Sequence, residues 1–222
     1  MTRVVVKVGG AVASTVAGHI TGLATHCCEV VAVHGAGPQI SSEMRLLGLP
    51  VEFVGGRRVT TAAGLDVVRE SFAAVNASLC RAIGPRAAPL FGDEIGLVAR
   101  QVPELGLVGD PEPCRPAPIE AALAAGLIPV VAPLATGPLN VNADEAASAL
   151  AIGLEAEKIL FLTDVPGLLL EGAVVPSIDA GEAQGLLDAG ELEGGIVPKL
   201  QAAICAAKLG VRAEIGETAV LA

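Results

Sequence analysis

The chain is 222 residues long, with a formal net charge of −10, 52% hydrophobic residues and 17% charged residues. That length suits one large α/β domain or two small lobes around a sizeable core, and the negative balance argues against nucleic acid as a partner, because a phosphate backbone calls for a basic surface. A nucleotide substrate stays open, since a few local cations serve it, but with no Trp, no Tyr and only four Phe there is little for a base to stack on.

Met1-Thr2-Arg3 leads into Val4-Val5-Val6-Lys7-Val8, so the chain opens on a strand, residues 3–8, and not on a signal peptide. Gly9-Gly10 ends that strand, and residues 11–28 read as a helix. Residues 29–33 form a second strand closed by His34-Gly35-Ala36-Gly37, after which Pro38 suits the first position of a helix reaching Leu47. The order strand, helix, strand, helix predicts a parallel sheet with helices packed on it. Residues 51–60 read as a hairpin turning at Gly55-Gly56. A long helix over 61–83 stops at Gly84-Pro85, and 89–108 reads as short strands with loops. Pro111, Pro113, Pro116 and Pro118 make a rigid connection, the best compositional candidate for a lobe boundary, with a helix beginning among the last of them and running to Ala125. Regular alternation then returns: strands at 128–131, 159–162 and 211–215, and helices at 143–154, 180–189 and 196–209.

The five cysteines, Cys27, Cys28, Cys80, Cys114 and Cys205, are odd in number and match no zinc spacing. They read as reduced thiols that fill core space in a cytoplasmic protein. No uninterrupted apolar span has membrane length.

Four segments carry chemistry. Asn140-Val141-Asn142-Ala143-Asp144-Glu145-Ala146-Ala147 follows an apolar run over 126–133 that reads as a buried strand, so two amides and two carboxylates gather at a strand-to-helix junction, where α/β proteins build sites. A helix cap with an acidic first turn explains the same letters. Lys7-Val8-Gly9-Gly10 sets a lysine and two glycines at the carboxyl end of the first strand, where backbone can approach a phosphate closely; a snorkelling lysine and an ordinary turn is the plainer reading. His34-Gly35-Ala36-Gly37-Pro38 opens a helix whose first amides are free for an anion, with His34 a structural hydrogen-bonding residue rather than a base. Gly194-Gly195-Ile196-Val197-Pro198-Lys199 is a second glycine pair opening a helix, with a lysine that in isolation is a surface residue. Two lysines, two glycine loops and a carboxylate suit phosphoryl transfer, which asks the protein for charge neutralisation and alignment.

In order and combination these segments resemble the amino acid kinase family, and within it the kinases that phosphorylate N-acetyl-L-glutamate in arginine biosynthesis. The resemblance extends to about Gly210 and includes Gly56-Arg57-Arg58-Val59-Thr60, Leu105-Gly106-Leu107-Val108-Gly109 and Thr163-Asp164-Val165-Pro166-Gly167. It implies a three-layer αβα sandwich with a mainly parallel central sheet, an acyl-amino-acid and dimerisation lobe over about 1–132, and an ATP lobe over about 133–222. By resemblance, Lys7 and Lys199 contact the phosphates and stabilise the transferring group, and Asp144 holds both lysines. Gly9, Gly10, Gly35, Ala36 and Gly37 line the phosphate path and the acyl-substrate loop. Arg58 binds the acyl amino acid's carboxylate, for which a guanidinium fork is better suited than a lysine, and Asn140 binds the same substrate. Thr163, Asp164 and Gly195 hold the nucleotide. The reaction implied is in-line attack of a side-chain carboxylate on the γ-phosphorus of ATP; that nucleophile is already ionised at neutral pH, so no general base is assigned. Mg²⁺ would travel on the phosphates with no protein metal site, and the implied assembly is a homodimer.

The sequence departs from the family pattern in three places. The second loop reads Gly-Ala-Gly, and Ala36 keeps the phosphates uncrowded only if its φ is negative. Pro89-Leu90-Phe91-Gly92-Asp93 stands where the family has Gly-Leu-Ser-Gly, and Gly216-Glu217-Thr218-Ala219-Val220 reads as a shortened closing strand. The strand at the very start leaves no room for the N-terminal helix of arginine-inhibited members, which implies a dimer without that feedback. A kinase acting on carrier-linked aminoadipate or glutamate is disfavoured by the Asn-Val-Asn-Ala-Asp segment and the acidic charge, and uridylate kinase by Arg58. A non-catalytic relative has no reason to keep Lys7, Asp144 and Lys199 together.

Overall fold

In the first strand, β1 (Thr2–Val8), side chains alternate between two faces. Val4, Val6 and Val8 enter one apolar cluster, and Val5 enters another. Both faces are therefore covered, as a near-continuous Val run in a parallel sheet requires. The computed structural model describes residues 2–9, 13–25, 28–163 and 165–222, the side chains of 13–15 excepted.

In chain order there follow α1 (Ala13–Thr25), β2 (Cys28–His34), α2 (Gly37–Leu46), the hairpin β3 (Phe53–Val54) and β4 (Arg57–Arg58), and α3 (Ala62–Ile83). Then come β5 (Ala87–Phe91), α4 (Gly92–Ile95), β6 (Ala99–Gln101), a 3₁₀ turn at Pro103–Leu105, β7 (Val108–Pro111), α5 (Ala117–Ala124) and β8 (Ile128–Ala132). The remainder is β9 (Leu134–Ala135), β10 (Leu139–Val141), α6 (Ala143–Gly153), β11 (Lys158–Leu162), β12 (Leu169–Leu170), β13 (Ala173–Val174), β14 (Ser177–Asp179), α7 (Ala180–Asp188), α8 (Ile196–Lys208), β15 (Arg212–Ile215) and β16 (Thr218–Leu221).

Eight strands form one sheet in the order β14-β16-β15-β11-β1-β2-β8-β5. Every neighbouring pair in it is parallel except β15 with β16. Helices α1 and α3 cover one face, while α5, α6 and α8 cover the other, giving the three-layer α/β/α arrangement expected from the sequence. A four-stranded sheet, β6-β7-β10-β9, lies beside the main one.

Several details differ from the sequence reading. The first helix ends at Thr25, and Cys28 already pairs with Thr2 in the sheet; residues 11, 12, 26 and 27 lie outside the described residues. The run over 126–133 does not lead directly into α6, because β9 and β10 intervene and the strand before the helix belongs to the small sheet. Gly92–Ile95, read as part of a strand-and-loop stretch, is a short helix. Cys28, Cys80 and Cys114 pack partly buried against the core, but Cys205 is exposed on α8 and fills no core space. The stretch read as a shortened strand is β16, inserted between β14 and β15. The hairpin β12–β13 and the edge strand β14 were not apparent from a pattern so short.

Candidate active site

The alternation along β1 decides where Lys7 goes. Val5 faces the α6 layer, so Lys7, two residues on, faces it as well. There the Lys7 Nζ lies 2.9 Å from Asp144 Oδ1, with both side chains more than nine-tenths buried. That oxygen takes no aligned hydrogen bond from any described group, so the contact is an ion pair held by charge. Asp144 is available for this role because it is not the cap of α6. Asn142 is the cap, its Oδ1 accepting from the amides of Asp144 and Glu145 at 2.8 and 3.3 Å. The cap reading of the 140–147 segment therefore falls on Asn142, and the carboxylate that meets a lysine is Asp144.

The carboxyl ends of β1, β2 and β11 meet beside this pair. The Gly9 amide donates to Leu162 O at 3.3 Å and the Gly35 amide to Val8 O at 3.0 Å, so these two glycines join the strand ends together and do not offer their amides to the cavity. The opening turn of α2 does face it: Ala36, Gly37 and Pro38 line the cavity, and a Cβ on Gly37 would meet open space. Ala36 is the N-cap residue with φ −144°, and its methyl is buried in a cluster with Ile40, Met44 and Leu65. The extra carbon relative to glycine is thus absorbed by the core under the loop. His34 supports the loop from below. It is fully buried against Phe72, receives Asn76 Nδ2 on Nε2 at 3.1 Å, and so presents Nδ1–H toward Gly35 O at 3.4 Å. Burial pushes its pKa down to about 4, which keeps the ring neutral and suits a structural role.

Arg58 lines the same cavity and lies against α2. Its side chain is buried under the Phe53 ring, 4.5 Å from the ring centroid, and donates to Ser41 Oγ at 2.8 Å and Gly37 O at 3.1 Å. Among the described residues no carboxylate pairs with it. Burial lowers its pKa and the nearby Arg45 lowers it further, but a guanidinium stays charged, so a buried cation stands there without a protein anion. Asn140, on β10, donates through Nδ2 to Thr60 Oγ1 at 3.0 Å, and that hydroxyl donates to Arg58 O at 2.8 Å.

The residue before Arg58 was not singled out from sequence. Arg57 Nε donates to both Glu145 oxygens, at 2.9 and 3.0 Å, and its Nη2 donates to Asp110 Oδ1 at 2.6 Å. These carboxylates outweigh burial and raise the Arg57 pKa. Burial raises that of Glu145 against the opposing pull of Arg57. The signals were present: a second arginine beside Arg58 and a second acid beside Asp144.

One cavity of about 650 Å³ connects these groups. It is lined by Lys7, Gly9, Gly35, Ala36, Gly37, Arg58, Asn140, Asp144, Thr163 and Lys199, so ten of the thirteen residues singled out from the sequence converge there. Gly195 is not among its lining residues; its carbonyl accepts from Lys199 Nζ at 2.9 Å. Gly10 and Asp164 lie outside the described residues.

Comparison with known proteins places the chain among relatives. The family model described as "Amino acid kinase family" matches residues 2–216. The acetylglutamate kinase of Rubrobacter xylanophilus is 42% identical, over 97% of this chain and 88% of that protein. The acetylglutamate kinase of Gloeobacter violaceus is 37% identical, over 95% of this chain and 78% of that protein. Carbamate kinase from Giardia lamblia, in a structure bound to AMP-PNP, superposes with a TM-score of 0.73 over 99% of this chain and 98% of that one; at 15% identity this likeness is one of fold alone. With the sheet order, the Lys7–Asp144 pair and a match along nearly its whole length, the chain belongs to the amino acid kinase family.

Proposed function

We propose that the chain transfers the γ-phosphoryl group of ATP to the side-chain carboxylate of N-acetyl-L-glutamate, giving N-acetyl-L-glutamyl 5-phosphate, the acetylglutamate kinase reaction of arginine biosynthesis. The observation that carries this reading is the buried guanidinium of Arg58, which has no carboxylate partner among the described residues and shares one cavity with the Lys7–Asp144 pair. A cation of that kind is balanced by the carboxylate of a ligand. Relatives of about 40% identity named acetylglutamate kinase support the same substrate.

In this reading Arg58 holds the α-carboxylate of the substrate. The Nδ2 of Asn140 is taken by Thr60, and its carbonyl oxygen is left to accept the substrate's amide N–H. The side-chain carboxylate is ionised and attacks in line without a base. Lys7 and Lys199 neutralise charge on the transferring group and Asp144 keeps Lys7 aimed. ATP enters past Gly9 and Gly37 toward Thr163, with Gly10, Asp164 and Gly195 assigned to the nucleotide by the family resemblance and Mg²⁺ held by its phosphate oxygens. Residues up to about 132 then serve mainly the acyl substrate and those beyond it the nucleotide, in a cytoplasmic homodimer.

The test is ADP release by the purified chain with Mg²⁺-ATP. N-acetyl-L-glutamate should stimulate it strongly and free L-glutamate little. A folded chain with no acetylglutamate-dependent turnover would overturn the reading.

A further inference from the structure

The hairpin β3–β4 carries Arg58, and two hydrogen-bonded contacts fasten it to the start of α6, on the phosphate side of the cavity. Arg57, the neighbour of Arg58, holds Glu145, the neighbour of Asp144, through both carboxylate oxygens at 2.9 and 3.0 Å. Asn142 Nδ2 donates to Gly56 O at 3.2 Å. Gly56 also lies near Pro198, the neighbour of Lys199: a Cβ built at Gly56 would lie 3.3 Å from Pro198 Cβ. Asp110 on β7 anchors the far side of Arg57 at 2.6 Å and is itself held by Arg100 at 2.8 Å. The neighbour of Arg58 thus binds the neighbour of Asp144.

We infer that Arg57 is a positioning residue that sets acceptor length: clasped by Glu145 and Asp110, it fixes the distance between the carboxylate-holding Arg58 and the phosphoryl-transfer pair Lys7–Asp144. This rests on the substrate reading given above. A five-carbon acceptor held at one end by Arg58 presents its other carboxylate at one depth only while the hairpin keeps its place on α6. If the clasp is loosened, the two ends of the cavity move independently, and acceptors one methylene shorter or longer are discriminated less. Arginine is required because one guanidinium reaches two carboxylates on different elements, which a lysine point charge does not do with fixed geometry.

The experiment compares the wild-type chain with Arg57→Met, Arg57→Lys and Glu145→Gln. Amide hydrogen exchange over residues 53–58 without ligands should quicken by about tenfold or more in Arg57→Met, as expected when a locally fastened segment is released. Turnover with N-acetyl-L-glutamate, N-acetyl-L-aspartate and N-acetyl-L-2-aminoadipate gives the second measure. In Arg57→Met the preference for the glutamate derivative should fall about tenfold, its KM should rise and the KM for ATP should stay within about twofold, since a misplaced acceptor is the defect. Arg57→Lys should recover part of the preference, and Glu145→Gln should reproduce the loss if Arg57→Met fails to fold. Unchanged exchange together with an unchanged length preference would overturn the proposal. A wild-type chain with no turnover on any acceptor would instead sink the substrate reading, while the exchange measurement would still decide whether the clasp exists.

Discussion

Arg58 and Arg57 are adjacent and bear the same charge, yet their surroundings give them opposite tasks. Arg57 has two carboxylates within 3.0 Å, and Arg58 has an aromatic ring, a hydroxyl and a carbonyl but, among the described residues, no anion. A strand sends consecutive side chains to opposite sides, so the first meets α6 and β7 and the second meets α2. The segment at 140–145 divides its tasks in the same way. Asn140 joins the Arg58–Thr60 network, Asn142 caps α6, Asp144 pairs with Lys7 and Glu145 pairs with Arg57. At this scale the prediction concerns Arg58→Lys. A single ammonium cannot reproduce the planar fork toward a carboxylate, nor its stack beneath Phe53. The KM for N-acetyl-L-glutamate should rise by about 10-fold or more, equivalent to losing about 1.4 kcal/mol, with kcat changed much less. Steady-state kinetics check it, and an unchanged KM would remove Arg58 from the substrate site.

Helix α6 is the element on which the site depends, and its sequence explains how it fits. Ala146, Ala147, Ala149 and Ala151 are buried beside Leu150, and Ser148 donates to Ala202 O of α8 at 3.0 Å. Small side chains let α6 approach both α8 and the sheet while keeping good helix propensity. Its last residue, Gly153, lies against the backbone of Cys114, and a Cβ there would overlap the Cys114 nitrogen, carbonyl carbon and oxygen. Gly153→Ala should therefore destabilise the chain by roughly 1–3 kcal/mol, as expected for overpacking against backbone that cannot move away; urea unfolding would show it, and an unchanged midpoint would refute it.

Elements of this kind were readable from sequence because strong apolar runs and clear stops define them. The positions of β1, β2, α3, α6, β11 and α8 follow from Val runs, Ala runs and Gly or Pro boundaries. The two-residue strands β3, β4, β9, β12 and β13 are shorter than the period that would reveal them, and β3–β4 was found only through its Gly55-Gly56 turn. Within the site, glycines and lysines in short motifs were legible. The Arg57–Glu145–Asp110 cluster was not, because its members are brought together by three elements far apart in sequence.

For the whole molecule, charge and burial bear on the same range of pH. The sequence pI is about 4.7, so the net charge of −10 at neutral pH vanishes as the solution is acidified. His34 adds a stability term over that range. Above pH 6.5 its ring is neutral in both folded and unfolded chains. Below it the unfolded ring takes a proton that the buried ring refuses until about pH 4. Stability should thus fall as pH drops from 6.5 to about 4, with His34 contributing about 3 kcal/mol of the loss. Urea unfolding at pH 7, 5.5 and 4.5 should show a steeper decline for the wild-type chain than for His34→Gln. Equal slopes would show that the ring is not buried and neutral. Loss of both repulsion and stability near the pI makes aggregation under mild acid the expected failure of this protein.

The place of β1 in the sheet has a consequence for how the chain matures. On one side Lys7 is in register with Val33, made soon after it, and on the other with Phe161, made much later. Its charge partner Asp144 also comes from the later part of the chain. Closing contacts so distant in sequence is slow, because loop entropy is lost before the contacts repay it. During synthesis the early strands can assemble, but the lysine stays unpaired until β11 and α6 arrive to flank it. On the proposed function, phosphoryl transfer is then withheld from any partly folded chain, and the first appearance of turnover in a refolding experiment should mark the docking of the two distant segments around β1.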